Sequence, residues 1–581
     1  FPKLGRVHAR VRPCESLRAG ERVEGPALIV DDATTLVLDP GFRAELRGDG
    51  TLAIEDTRAA HATADEGGAA READDPVALE IAGSRFMSIA EQMGAVLRNT
   101  AVSVNIKERL DYSCAVFDAA GGLVANAPHI PVHLGAMSAT VRAVLARFPA
   151  LQDGDAIATN DPSEGGSHLP DVTVVSPVFV NGVLRFFVAS RGHQAEIGGK
   201  APGSMPADSQ TLEEEGVVIH AFPLVRAGRF DEAGLRALLT GARFPSRAPD
   251  DNVADLEAMV AANRAGERLL REYAAEQGET ALAECMSALQ AAASRKVSRE
   301  LARLGDGERE FSDALDDGTP IRVRLRIAHG RGELDFSGTG PAQRGNTNAP
   351  RAVVEAAAIY ALRCLVAERI PLNGGCLAPV AIHVPPGSLL DPPPGSAVVS
   401  GNVETSQRLV DVLLGAMGVA AASQGTMNNL TFGDERFGYY ETLGGGAGAT
   451  PGAPGASAVH THMTNTRITD PEVLESRTPV IVREFSVRRG SGGAGAQRGG
   501  DGLVRELELT APLVVSLLSE RRVRAPWGAA GGEPGKRGEN WRIRRDGGRE
   551  AVPGRATLAL AAGERIRIET PGGGGWGPAR N

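Results

Sequence analysis

The sequence predicts a mixed α/β (α+β) chain of several domains: a β-rich N-terminal module, an α/β domain, a helix pair and a β-rich C-terminal domain. Three observations support this prediction. A length of 581 residues exceeds what one hydrophobic core organises. The apolar residues change repeatedly between the alternating spacing of strands and the three-to-four-residue spacing of helices. A content of 42% hydrophobic and 23% charged residues is typical of a folded globular protein.

The first 57 residues form the predicted β module. Short apolar runs at Val23–Val30 and Thr35–Leu38 are separated by glycine-containing turns. Residues 58–75 contain no large apolar side chain, which predicts a flexible acidic linker. A domain boundary is therefore expected between residue 57 and residue 76.

Residues 76–310 are predicted to form the α/β region. A long helix should begin near Pro76, and strands should follow, including a hairpin whose turn is Asn181-Gly182. Residues 253–304 return to helical spacing with a break at Gly278, which predicts an antiparallel helix pair.

Residues 311–581 are predicted to be the β-rich domain with one Ala-rich helix at 351–367. Apolar and arginine residues alternate from Ile321 to Ile327, as in a strand with one face in water. Glycines are dense at 444–456, 490–502 and 572–575. We interpret these segments as surface turns in preference to anion-binding cradles.

Composition excludes several classes of protein. A net charge of −10 without any basic run argues against a nucleic-acid-binding protein. Five well-separated cysteines without CxxC spacing predict reduced thiols and no zinc ribbon. The sequence contains no signal peptide and no apolar stretch near ~18 residues, so a cytoplasmic location is expected. It starts at Phe1 within a strand-rich region, which predicts a fragment or a subunit of something longer.

Motifs for two common catalytic strategies are missing as well. The sequence contains no GxxxxGK[ST] phosphate loop and no GxSxG nucleophile elbow, and its cysteines lack the context of a cysteine protease. A P-loop nucleotide site and a serine or cysteine nucleophile therefore have no support.

The most informative segment is the loop before the predicted hairpin. His168 and Asp171 lie three residues apart on this loop, and the return strand of the hairpin should bring His193 beside them. Two imidazoles and a carboxylate suit Mn²⁺, Zn²⁺ or Fe²⁺ with open positions for water or substrate. Spacing alone favours ordinary loop histidines over a metal site, because HxxD is common by chance and no tight motif such as HExxH is present.

Three further residues are candidates in the preceding segment. Asp111 could supply a second carboxylate, although a turn-capping role is the commoner one for an isolated aspartate. His129 and His133 would face the same way in an extended chain. Packed loop histidines are again the commoner reading, and direct catalysis is the alternative.

Several long segments resemble the 5-oxoprolinase/hydantoinase B family, which includes the large subunits of ketone carboxylases and caprolactamase. The segments that carry the resemblance are 105–114 (NIKERLDYSC), 126–137 (NAPHIPVHLGAM), 166–171 (GSHLPD), 202–206 (PGSMP), 401–408 (GNVETSQR), 462–472 (HMTNTRITDPE) and 571–575 (PGGGG). The resemblance runs from about residue 76 to the end. Residues 1–57, with Gly25–Val30, resemble the end of the hydantoinase A part.

The resemblance implies a function and a set of site residues. It implies the B-type part of an ATP-dependent 5-oxoprolinase, which hydrolyses 5-oxo-L-proline to L-glutamate when combined with the A part. ATP and Mg²⁺ are expected only in that A part. By the same resemblance, Asp111, His168, Asp171 and His193 are the ligands of a divalent transition metal, Mn, Zn or Fe. His129 and His133 are expected to orient substrate or move protons, and the chain is expected to form a homo- or hetero-oligomer.

Two other functions stay open at this stage. The chain could act on a hydantoin, another lactam or a ketone within the same superfamily, because a shared architecture does not fix the substrate. It could also be a non-catalytic scaffold whose chemistry belongs wholly to the A part. The family commonly reads RGHHADIGG, whereas this sequence has Gln194 and Glu196 at 191–199. This departure puts the substrate in doubt and leaves the fold expectation intact.

Overall fold

The computed structural model describes residues 7–57, 76–127, 129–368 and 372–579. The chain divides into two units, Phe1–Ala73 and Asp74–Asn581. The predicted linker at 58–75 lies outside the described residues. No helix in the described ranges is long and apolar enough to cross a lipid bilayer. The prediction of a mixed α/β chain with several sheets is confirmed.

The first unit contains two three-stranded sheets, ordered β1-β3-β4 and β2-β5-β6. The predicted run Val23–Val30 is two strands, because Pro26 has no N–H to donate and interrupts the ladder. Buried aliphatic residues such as Ile29 and Leu38 form a small core of this unit. Its strands are β1 Arg10–Pro13, β2 Arg22–Glu24, β3 Ala27–Val30, β4 Thr35–Leu38, β5 Phe42–Leu46 and β6 Leu52–Asp56.

A seven-stranded sheet, ordered β13-β12-β9-β10-β11-β7-β8, organises the start of the second unit. Apolar side chains of its strands contribute to two separate cores, one shared with helices α1 and α5 and the other with α3. The elements of this region are α1 Pro76–Thr100, α2 Val104–Lys107, β7 Tyr112–Asp118, β8 Leu123–Asn126, α3 Pro131–Arg147, β9 Ala156–Thr159, β10 Asp171–Val180, β11 Val183–His193, β12 Phe222–Arg226, β13 Arg229–Phe230, α4 Glu232–Gly241, α5 Pro249–Gln277 and α6 Glu279–Leu304.

Three predictions for this region can be compared with the structure. The Asn181-Gly182 hairpin is confirmed, with both residues at positive φ and Val180 paired with Val183. The helix break at Gly278 is also confirmed. The predicted antiparallel pairing is wrong, because α5 packs mainly along α1 and meets α6 over a short stretch only. Helical spacing identifies the buried face of α5 but carries no information about which helix covers it.

A four-stranded sheet, ordered β14-β15-β16-β17, follows. The alternation from Ile321 to Ile327 is confirmed: the apolar side chains are buried, and Arg322 and Arg324 pair with Glu310 on the wet face. A short π-helical turn, Gly401–Thr405, leads directly into α8. The elements are β14 Gly307–Ala314, β15 Pro320–Ala328, β16 Arg331–Asp335, α7 Arg351–Leu365, β17 Val380–His383 and α8 Ser406–Met417.

Two further sheets, ordered β19-β18-β22-β25 and β20-β21-β26-β23-β24, make the C-terminal part β-rich as predicted. Their facing apolar side chains share one core. The elements are β18 Asn429–Gly433, β19 Gly438–Glu441, α9 Pro471–Arg477, β20 Val480–Arg488, β21 Gly502–Leu509, β22 Leu513–Leu518, β23 Glu539–Ile543, β24 Arg549–Val552, β25 Arg555–Leu560 and β26 Arg565–Glu569.

The glycine-dense segments are packed against one another in part, so their interpretation as surface turns is wrong for 444–449 and 571–575 but holds for the mostly exposed residues 451–456. Residues 444–449 and 571–575 are mostly buried. Their backbones exchange hydrogen bonds, for example from Gly573 N to Gly500 O and from Gly500 N to Ala447 O, both 2.9 Å. A Cβ atom on Gly573 would overlap the backbone of Ala447. Only glycine permits such close contact between neighbouring backbone segments, and the buried parts of these segments belong to the interior of the fold.

Candidate metal centre

The β10–β11 hairpin brings the candidate ligands together at its open end. Asp171 is the first residue of β10 and His193 is the last residue of β11, and the two are register partners. His168 lies on the preceding loop, where its carbonyl accepts a hydrogen bond from Asp171 N at 3.1 Å. The predicted convergence of these three residues is confirmed.

One carboxylate oxygen is the centre of the cluster. Asp171 Oδ1 lies 3.0 Å from His193 Nδ1, 3.2 Å from His168 Nε2 and 3.2 Å from His133 Nε2. All four side chains are buried. Ligand atoms around a tetrahedral Zn²⁺ with bonds of ~2.0–2.1 Å stand about 3.3 Å apart, and the three distances from Asp171 Oδ1 are close to this spacing.

The pKa directions of Asp171 and His193 favour the forms that bind metal ions. Burial alone would raise the pKa of Asp171, but the imidazoles of His168 and His133 hold it well below its usual range. Burial lowers the pKa of His193, against the opposing effects of Asp111 and Asp171. An ionised Asp171 and a neutral His193 are the forms in which these two side chains bind a divalent cation.

Unpartnered polar atoms support the same reading. Within the described part of the chain, His168 Nδ1 and His193 Nε2 have no hydrogen-bond partner. Leaving buried polar atoms unpaired costs free energy, which a bound ion offsets. The group His168, Asp171 and His193 fits a divalent transition metal in both geometry and chemistry.

The second oxygen of Asp171 is held by two donors. Ser167 Oγ donates to Asp171 Oδ2 at 2.6 Å, and Asn402 Nδ2 donates to the same atom at 3.3 Å. Both donors are buried. These bonds orient the carboxylate so that Oδ1 faces the imidazoles.

Asp111 lies beside the cluster and not within its three-residue group. Its carbonyl accepts a hydrogen bond from His193 N at 3.0 Å, which ties the end of β11 to the start of β7. Its carboxylate lies 3.9 Å from His133 Nε2 and 3.8 Å from the guanidinium of Arg109. A role for Asp111 as a ligand remains a prediction.

The two histidines expected to be catalytic occupy different environments. His133, in the first turn of α3, directs Nε2 at Asp171, while its Nδ1 lies 3.2 Å from Ser113 Oγ. His129 instead accepts a hydrogen bond from Cys114 N through Nδ1 at 3.0 Å and packs edge-on against Tyr112. Burial and the nearby His133 lower the pKa of His129 to about 4. His133 is therefore part of the cluster, whereas His129 is bound to the β7 backbone.

Two residues that the sequence did not single out lie beside the cluster: Tyr440 contacts His193, and Arg109 contacts Tyr440. The Tyr440 ring stacks on His193 with a centroid distance of 4.6 Å and an interplanar angle of 16°. The guanidinium of Arg109 lies 4.7 Å from the centre of the same ring. Arg109 lies in segment 105–114, which carries the family resemblance, so the resemblance could have identified it as a candidate site residue. Tyr440 lies outside the segments that carry the resemblance, and no local sequence pattern identifies it as a candidate site residue.

His460 is a further histidine near the centre that the sequence did not single out. Burial lowers its pKa to about 4, with Arg109 contributing and Asp111 opposing. Its Nδ1 has no hydrogen-bond partner in the described ranges. His460 is therefore a neutral imidazole whose pKa is affected by the charge of Asp111.

The side chains of the two residues that depart from the family pattern bond to residues outside the cluster. Gln194 Oε1 accepts a hydrogen bond from Asn252 Nδ2 on α5 at 2.9 Å. Glu196 accepts hydrogen bonds from the backbone of Gly198 and Gly203 and from Arg247. Both residues line a small cavity of about 70 Å³. Their contacts tie the loop after β11 to α5 and to neighbouring loops.

Comparison with known protein families gives two matches that cover most of the chain. Residues 75–579 match the Hydantoinase B/oxoprolinase family, and residues 5–53 match the Hydantoinase/oxoprolinase C-terminal domain. The two matches follow each other along one chain with a short interval between them.

Individual relatives agree with these matches. The chain is 49% identical to 5-oxoprolinase 1 of Arabidopsis thaliana, over 97% of this chain and 46% of the relative. It is 45% identical to the 5-oxoprolinase of Saccharomyces cerevisiae, over 98% of this chain and 47% of the relative. The chain thus spans about half the length of these curated relatives. Among solved structures, the ATP-dependent caprolactamase from Pseudomonas jessenii superposes with a TM-score of 0.79 at 26% identity, covering 87% of this chain and 91% of that one.

Proposed function

The chain belongs to the Hydantoinase B/oxoprolinase family, and from this premise we propose that it is the B-type part of an ATP-dependent 5-oxoprolinase. Combined with a hydantoinase A-type part, it hydrolyses 5-oxo-L-proline to L-glutamate while ATP is cleaved to ADP and phosphate. The A-type part is the proposed partner and the proposed site of ATP and Mg²⁺.

One observation carries the choice of substrate within the family. Nearly the whole chain, including both the A-type segment and the B-type region, matches enzymes named 5-oxoprolinase at almost half identity. Identity to the caprolactamase is close to half of that value. The presence of an A-type segment and a B-type region in one chain, and the higher identity to the 5-oxoprolinases, favour 5-oxoproline over other cyclic amides.

The geometry supports a hydrolytic role for the buried cluster. An amide is resonance-stabilised and is a poor electrophile, so opening an unstrained lactam requires activation. His168, Asp171 and His193 would hold a divalent transition metal, with His133 and Asp111 adjacent to it. Such a metal, when bound, supplies a Lewis acid for the ring carbonyl or lowers the pKa of an attacking water.

The remaining residues have proposed roles of their own. Ser167 and Asn402 orient the Asp171 carboxylate, so that its Oδ1 faces the imidazoles. His133 and His129 are placed along the segment that enters α3 and are the proposed groups that orient substrate or move protons. Mn, Zn and Fe remain the candidate metals, because all three accept imidazole and carboxylate ligands.

The test is reconstitution. The 581-residue chain is mixed with a separately produced A-type part, and phosphate and L-glutamate formation are measured with 5-oxo-L-proline and ATP. We expect both products only when both parts are present, and we expect His168→Ala to abolish glutamate formation together with metal content. His329→Asn is the matched control, because His329 is 95% exposed and asparagine tolerates its positive φ.

Other results would redirect the proposal. Glutamate formation at full rate by the His168→Ala variant would make the chain a scaffold. Phosphate release that depends on a hydantoin or on a larger lactam, and not on 5-oxo-L-proline, would leave the family assignment standing and overturn the substrate. ATP cleavage by the 581-residue chain alone would contradict the need for an A-type part.

A further inference from the structure

Two residues of the cluster, Asp171 and His193, are contacted by side chains from one distant region of the chain. Asp171 Oδ2 accepts a hydrogen bond from Asn402, and His193 is covered by the Tyr440 ring. The region that supplies them is distant in sequence, because Asn402 follows Asp171 by 231 residues. The positions of these cluster residues therefore depend on contacts that the hairpin itself does not provide.

Tyr440 is held in place through a buried asparagine. The Tyr440 hydroxyl donates to Asn429 Oδ1 at 2.9 Å. Asn429 Nδ2 in turn donates to Glu404 Oε1 and to Leu518 O, both at 2.7 Å. Because both acceptors face Nδ2, the amide has one orientation, and its carbonyl oxygen must face Tyr440.

Glu404 is the anchor of this chain of hydrogen bonds. Its Oε1 also accepts a hydrogen bond from Met427 N at 3.1 Å. Glu404, Asn429 and Tyr440 are all at most 2% exposed. A buried network of this kind tolerates little rearrangement, so the ring that stacks on His193 has one position.

Asn402 and Glu404 come from the same π-helical turn, Gly401–Thr405. The turn closes with a hydrogen bond from Ser406 N to Gly401 O. A Cβ atom on Gly401 would overlap the carbonyl of Asn348, so glycine allows the turn to approach that backbone. Single π-helical turns inside helices occur frequently at functional sites.

We propose that the Gly401–Thr405 turn positions the metal centre, through Asn402 on Asp171 and through Glu404, Asn429 and Tyr440 on His193. The inference rests on the proposed metal-dependent function. Glu404, Asn429 and Tyr440 are positioning residues, because none of them reaches the cluster with a ligand atom. Their contribution is the fixed orientation of the His193 ring, which the stacked Tyr440 ring maintains.

The test measures metal binding and not turnover. Zn²⁺ dissociation constants are determined by competition with a chelating dye, and the visible absorption of bound Co²⁺ reports the geometry of the site. Tyr440→Leu and Glu404→Leu should weaken Zn²⁺ binding about 10–100-fold and alter the Co²⁺ spectrum. Glu404→Gln keeps the Oε1 acceptor and should stay within about threefold of the unaltered chain.

A neighbouring tyrosine provides the matched control. Tyr439 is as buried as Tyr440, but its hydroxyl bonds to Glu441 and Thr469, away from His193. Tyr439→Leu removes a buried ring from the same strand and should lower the melting temperature about as much as Tyr440→Leu does. It should leave Zn²⁺ affinity and the Co²⁺ spectrum unchanged.

The outcomes separate the two proposals. Wild-type affinity and an unchanged Co²⁺ spectrum in Tyr440→Leu and Glu404→Leu overturn the positioning role while the metal site stands. Equal loss of affinity in the Tyr439 and Tyr440 variants shows general destabilisation and also overturns it. Absence of Zn²⁺ and Co²⁺ binding by the unaltered chain removes the metal site itself, and the inference with it.

Discussion

Asp171 is the residue on which the site depends most directly. Its Oδ1 has three imidazole nitrogens within 3.2 Å, and its Oδ2 is held by Ser167 and Asn402. Burying a carboxylate costs several kcal/mol unless it is paired. The surrounding donors lower that cost in the unliganded protein, and a divalent cation would lower it further.

At the residue scale, His133 and His129 should behave differently when each is replaced by alanine. His133 directs Nε2 at Asp171, so His133→Ala should lower Zn²⁺ affinity at least about tenfold. His129 bonds to the backbone of Cys114, so His129→Ala should leave metal content unchanged. Elemental analysis of the purified variants and dye competition provide the measurement.

The contradicting result is equally specific. If His129→Ala loses metal and His133→Ala keeps it, then His129 supports the metal site and His133 does not, which contradicts the prediction. Ser113→Ala is the accompanying variant, because Ser113 Oγ contacts Nδ1 of His133. It should produce a smaller loss of affinity than His133→Ala does.

At the scale of the elements, helices α3 and α7 cross at a glycine. A Cβ atom on Gly135 would overlap the backbone of Ala356. The close approach carries α3, and with it His133, against the Ala-rich face of α7. A larger residue at position 135 therefore separates the two helices and displaces His133 as well.

We expect Gly135→Ala to destabilise the protein by about 1–3 kcal/mol through overpacking, even though alanine is the better helix former. Gly241→Ala, at the end of α4, is the control, because nothing lies within 4 Å of a Cβ atom there. Thermal unfolding measures both variants. A melting temperature of Gly135→Ala at or above that of the unaltered chain would contradict the close crossing.

At the scale of the whole molecule, buried acids make stability depend on pH. Burial raises the pKa of Glu404 to about 8 and that of Glu267 to about 7. At Glu267, Arg271 and Arg264 oppose the rise and Asp153 adds to it. The folded protein binds a proton at Glu267 above the ordinary pKa of 4.5, whereas the unfolded chain has lost it.

The sign of the effect follows from this difference in bound protons. Between the ordinary pKa and the raised one, the free energy of unfolding falls as pH rises. Glu267→Gln cannot lose a proton, so its melting temperature should gain on that of the unaltered chain between about pH 5 and about pH 8. A difference that is constant across this range would contradict the raised pKa. Glu272→Gln, an exposed position on the same helix, controls for the loss of one carboxyl.

The packing of the glycine-dense segments is also a property of the whole molecule. Residues 444–456, 490–502 and 572–575 are far apart in sequence but exchange backbone hydrogen bonds in the fold. Composition predicts turns at such segments, because glycine is common in turns. Their mutual packing depends on the sheets that bring them together, and no local pattern specifies those partners.

The sequence by itself determined the features that depend on nearby residues. The Asn181-Gly182 turn joins β10 to β11 as the sequence predicts, although a one-residue register shift at Val178–Phe179 is also needed to place His193 opposite Asp171, three residues after His168. The strand from Ile321 to Ile327 and the break at Gly278 are likewise local, because a period of two and a helix-ending glycine are both visible within about ten residues.

Only the tertiary structure decided what lies against these elements. The pairing of α5 with α1, the entry of His133 into the cluster and the contact of Asn402 with Asp171 all join segments that are distant in sequence. Tyr440 reaches His193 for the same reason. Periodicity identifies a buried face or a turn within its own segment, whereas the partner of that face is chosen by the packing of the whole chain.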